Sequence, residues 1–139
     1  MTKTFSDKVY SILARESESE VNRLMADSIR ILAVYNGVSW KSEVIPDLIK
    51  LYRFLGVLKP LDPKELDKAL EKLEAEGLIS VEKRVRGAFD RPWTFEDELI
   101  RLVDSGETLK ALRRDEKFMN YVRERYRRMV NQLNRKRPI

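Results

Sequence analysis

The chain has 139 residues, 37% of them charged, with a net charge of +5 and neither cysteine nor histidine. That length suits one domain with its own core, while the two missing residue types exclude disulfide frameworks, most zinc sites and catalysis by Cys or His. No apolar run approaches the roughly 18 residues of a membrane span, and the first residues carry no signal-peptide core, so a cytoplasmic protein without membrane contact is expected.

The charge is uneven. Residues 110–139 hold eleven Lys or Arg against Asp115, Glu116 and Glu124, a net of +8, which leaves the preceding 109 residues at −3. A negatively charged partner is expected to feel the C-terminal end first. Gln132 is the only glutamine, and many charges with few thermolabile side chains suit a heat-adapted, archaeal source.

In chain order, Ser6-Asp7 is the expected cap of a short helix carrying Val9, Ile12 and Leu13, with a break near Ser17. Val21, Leu24, Met25, Ile31, Leu32 and Tyr35 then give one face of a helix ending at Asn36-Gly37. Pro46 suits a helix start better than a helix interior, so the next helix is placed over Pro46–Leu55, stopping at Gly56. Asp62-Pro63-Lys64-Glu65 is the strongest start signal in the chain: a capping Asp, Pro at the first position and a Glu able to reach back. Leu66, Ala69, Leu70 and Leu73 follow at helical spacing, and the helix is predicted over Pro63–Glu76 with Gly77 ending it.

Leu78–Arg86 reads as a strand closed by Gly87, and Glu98–Val103 as a second strand after a loop over Ala88–Asp97. Thr94-Phe95-Glu96-Asp97 is also a capping signature, which leaves a short helix over Thr94–Val103 as the competing reading. From Asp104 onward, Leu109, Leu112, Met119, Val122, Tyr126, Met129 and Leu133 recur at three- and four-residue intervals. They predict one long helix, or two meeting at Asp115, which would cap the second.

Leu73-Glu74-Ala75-Glu76-Gly77-Leu78-Ile79, then a basic hairpin, then Ile100-Arg101-Leu102-Val103-Asp104-Ser105-Gly106-Glu107 resemble the winged helix-turn-helix pattern of MarR-type and PadR-type transcription regulators. The resemblance covers roughly residues 29–112. It implies a mainly α fold with a small β-hairpin wing and a long C-terminal helix, and it favours the strand over the helix at Thr94–Val103. It divides the chain into an N-terminal helical extension (1–17), a winged helix domain (18–108) and a basic C-terminal helix (109–139). The helix before Gly77 becomes the recognition helix, duplex DNA the partner and the terminal helices the seam of a homodimer, through Leu112, Met119, Val122, Tyr126, Met129 and Leu133. From the residues alone, the same stripe can instead fold back on the helices of residues 7–35.

DNA binding needs cations for phosphates and forked donors or amides for base edges. Projected at ~100° per residue, Lys64, Lys68 and Lys72 lie on one flank of the recognition helix and Asp67, Glu71 and Glu74 on the other. The helix has no Arg, Asn, Gln, Ser or Thr, so phosphate contact is its expected role. In the hairpin, Lys83, Arg84, Arg86 and Arg91 surround a tip containing Phe89, Pro92 and Trp93, and an arginine there can enter a narrow minor groove. Transcription regulation is the function these features suggest, with no cofactor, metal or catalysis expected. A protein-interaction module and an RNA-associated basic protein are the other classes that fit.

Overall fold

The computed structural model describes residues 3–87, 90 and 92–136, the side chain of Lys136 excepted. Expected sites at Phe89 and Arg91 fall outside the described residues.

The cap of helix α1 (Phe5–Ala14) lies at Thr4, two residues before Ser6, because Thr4 and Asp7 form a reciprocal box: Thr4 Oγ1 accepts from Asp7 N–H at 3.1 Å and Asp7 Oδ2 from Thr4 N–H at 3.3 Å. The break falls at Glu16–Ser19 as the polar run predicts, and Ser19 caps α2 (Glu20–Val34) by accepting from Asn22 N–H. Helix α2 is the centre of the molecule. Nine consecutive residues, Leu24–Leu32, are buried.

Asn36 (φ 63°) and Gly37 (φ 88°) turn the chain out of α2. A Cβ on Gly37 would run into Ser105 Oγ, so the close approach and the positive φ both select glycine. A three-residue strand, β1 (Val38–Trp40), follows, and α3 (Lys41–Leu55) begins at once. The expected start at Pro46 is five residues late. Pro46 sits inside the helix, where it and Ser42, whose carbonyl it leaves without an N–H, are both exposed to solvent.

Gly56 ends α3 in the left-handed conformation, and α4 (Pro63–Ala75) opens where the sequence predicts. Its cap differs in one respect: Asp62 accepts from Lys64 N–H at 2.9 Å, while Glu65 lies 3.6 Å from Lys68 Nζ. Leu66, Ala69, Leu70 and Leu73 enter the core against α2.

Strands β2 (Ile79–Gly87) and β3 (Thr94–Leu102) pair antiparallel over nine residues each, from Ile79 opposite Leu102 to Gly87 opposite Thr94. The second strand therefore starts four residues before Glu98. The competing helix over Thr94–Val103 does not form, because the ladder to β2 satisfies the backbone groups that a cap at Thr94 would have served. Sheet order is β1-β3-β2, with β1 paired to β3 through Val38–Arg101, Ser39–Ile100 and Trp40–Leu99. Asp104 then caps α5 (Ser105–Leu112), and Asp115 accepts from Phe118 N–H to cap α6 (Glu116–Lys136). The fold is mainly helical, with six helices and one small antiparallel sheet among the described residues.

One polar cluster crosses the core. Arg30 is fully buried and reaches Asp27 on its own helix (2.7 Å), Glu16 after α1 (2.7 Å) and Asp115 at the α5–α6 junction (2.7 Å). Lys117 adds a second cation to Glu16 at 2.9 Å. Burial pushes Arg30 toward neutrality, but Glu16 and Asp115 outweigh it and hold the guanidinium charged. Three segments distant in sequence are thereby fixed to one another.

Candidate nucleic-acid interface

The exposed face of α4 carries the expected lysines, each in solvent. Lys68 leans toward Glu65, and among the described residues Lys64 and Lys72 have no ion-pair partner. The acidic flank is less free. Asp67 pairs with Lys41, and Glu74 Oε2 accepts from Val81 N–H at 3.1 Å. Because β2 is an edge strand, that bond covers a backbone donor the sheet leaves open. Between α4 and the sheet lies a groove of about 380 Å³ lined by Asp67, Glu71, Glu74 and Glu98 against Lys41 and Lys83. Its acidic excess opposes a phosphate backbone seated within it.

On β2, Lys83 is exposed opposite Glu98, and Arg84 pairs with Glu82 at 3.0 Å. Arg86, one of the arginines expected at DNA, is engaged within the fold. Its guanidinium lies over the Trp40 ring at 4.5 Å and the Phe95 ring at 5.4 Å, donates to Asp97 at 3.3 Å and is 3.7 Å from Glu43. Asp97, buried in β3, accepts from Ser42 Oγ–H at 2.6 Å and Ser42 N–H at 3.3 Å. Trp40 precedes α3 and gives no side-chain cap, so a carboxylate 55 residues downstream of Ser42 supplies it. Burial pushes the Asp97 carboxyl up, but the bonds from Ser42 and from Glu98 N–H, with the Arg86 charge, hold it below the usual carboxylate range.

Nothing in the sequence near Asp97 announces this role. The sequence places it at the end of the Ala88–Asp97 loop.

No family model matches this chain, and no curated protein matches it. Among the described residues no group of acids is placed to hold a metal ion, and no helix is long and apolar enough to cross a membrane.

The residues expected at a dimer seam divide. Leu112 is fully buried in the chain's own core, so it is not available to a partner; Met119 and Val122 pack against that core. Fold-back onto α2 and α3 explains this half: Tyr121 meets Phe54 edge-on at 5.3 Å and Arg125 covers Tyr35 at 4.9 Å. Tyr126, Met129 and Leu133 stay 64%, 55% and 60% exposed. The basic set around them is partly spoken for, since Arg127 and Arg128 both bond to Glu124. Arg113, Arg114 and Arg135 are exposed, with no ion-pair partner among the described residues.

Proposed function

We propose that this chain is a winged helix-turn-helix protein that binds duplex DNA, mainly through phosphates, and regulates transcription by occupying the sites it binds. The observation that carries the reading is the connectivity from α2 to β3: helix, strand, helix, helix, strand, strand, with the last strand in the middle of the sheet. That order supports α4 as the helix presented to the major groove and the β2–β3 hairpin as the wing. Among the described residues, Lys64, Lys72, Lys83 and, at the base of the hairpin, Arg101 are exposed cations on these two elements without an ion-pair partner; the three lysines are assigned as phosphate contacts.

Base reading by α4 has little chemical support. Its exposed polar positions are Lys, Asp and Glu, whereas bidentate recognition of guanine or adenine favours Arg, Asn or Gln. The expected binding is therefore weakly sequence-selective, with groove shape and width contributing more than base edges. Replacing Lys64, Lys72 and Lys83 together with alanine tests the assignment. The salt slope of duplex binding should flatten by about 2 to 3 in log–log units; an unchanged slope and affinity would remove both elements from the interface.

The acidic groove favours a second reading, in which a basic segment of another protein seats between α4 and the sheet. Duplex binding that is absent or indifferent to salt would favour it.

A further inference from the structure

We propose that the second half of α6 is a docking ridge for an acidic amphipathic helix of a partner protein. Met119 and Val122 belong to the chain's own core, and the same apolar line continues along α6 as Tyr126, Met129 and Leu133, each more than half exposed. The stripe thus begins in a packed core and runs on uncovered among the described residues. Single exposed apolar residues are ordinary, but three at successive turns in continuity with a core form a seam.

The flanks of the seam choose its occupant. At ~100° per residue, Arg123 and Arg127 lie to one side of the stripe and Arg125 and Arg128 to the other. Beyond Glu116 in the first turn, the only acid of α6 is Glu124, which projects to the opposite face and is held there by Arg127 at 2.8 Å and Arg128 at 3.1 Å. A second copy of this helix, parallel or antiparallel, would set arginine against arginine along both edges, within a segment of net charge +8. The family resemblance implies a homodimer through this stripe; the charges oppose it. A nucleic acid would use the arginines but leave the stripe wet. An acidic helix with apolar residues at three- and four-residue spacing covers the stripe and neutralises both flanks.

The test uses the full chain and a fluorescently labelled synthetic helix of about three heptads, with leucine at the a and d positions and glutamate at e and g, which repels copies of itself. A second peptide carries lysine in place of every glutamate. The glutamate peptide should bind, more weakly as salt rises, and the lysine peptide should not. Tyr126→Ser, Met129→Ser and Leu133→Ser combined should lose about tenfold or more in affinity with an unchanged circular dichroism spectrum. Failure to bind the glutamate peptide, or equal binding of both peptides, would overturn the proposal. So would sedimentation of the free chain as a dimer that the triple substitution dissolves. None of these outcomes depends on whether the chain binds DNA.

Discussion

Replacing Arg86 with alanine separates a brace from a DNA contact. The substitution removes a cation from two ring faces, worth about 0.5 to 1 kcal/mol each where partly exposed, and a charged hydrogen bond to the buried Asp97. That bond lies at the low end of about 1.5 to 3 kcal/mol, because Asp97 keeps its bonds from Ser42 and Glu98 N–H. The pair with Glu43, 3.7 Å apart and exposed on the glutamate side, adds little. The total is roughly 2.5 to 3.5 kcal/mol, or about 8 to 11 °C in Tm for a domain of this size. Thermal denaturation followed at 222 nm measures it, with duplex binding determined below the transition. Arg86→Lys keeps the charge but not the planar fork over Trp40, so it should recover less than half of the loss. A Tm within a degree of the unsubstituted chain, together with weakened duplex binding that lysine restores, would refute the brace and return Arg86 to the DNA surface.

Arg30→Ala should cost about 3 to 5 kcal/mol, since it leaves Glu16, Asp27 and Asp115 facing one another without their shared cation; urea denaturation that shifts by less than 1 kcal/mol would show the cluster to be dispensable. The pH dependence follows from Asp97 and Glu16, both held below their ordinary values. Burial alone would raise Glu16, and Arg30 and Lys117 overcome it. A depressed carboxylate contributes stability above its unfolded pKa, about 4, and that contribution is lost as pH falls through the folded value. Asp27, raised by burial, has the opposite sign and offsets part of the loss. Stability should thus fall below about pH 4, and Asp97→Asn should make the fall shallower; an acid limb unchanged by Asp97→Asn would disconnect that carboxylate from it.

Local signals were legible and distant ones were not. Asp62-Pro63 and Gly77 bracket α4 because caps act within a few residues, and Asn36-Gly37 turns the chain for the same reason. The start of α3 is not legible locally because its cap comes from Asp97, nor is β1, because three residues gain a ladder only from β3, some sixty positions away. The site behaves similarly. A pattern of basic residues identifies the hairpin, but only Trp40 and Asp97 in place reveal that Arg86 is occupied while Lys83 is not. Spacing gives the stripe from Leu112 to Leu133, yet its division into a buried half and an exposed half depends on where α6 leaves α2 and α3.

The central claim is phosphate-dominated binding of duplex DNA by α4 and the hairpin, and fluorescence anisotropy of a labelled random duplex across about 50 to 200 mM salt tests it most directly. Contacts from Lys64, Lys72 and Lys83 give an expected slope of about −2.7, a loss of roughly fortyfold over that range, with a structured RNA hairpin binding more weakly. A slope near zero, or tighter binding to the RNA hairpin than to the duplex, would contradict the account.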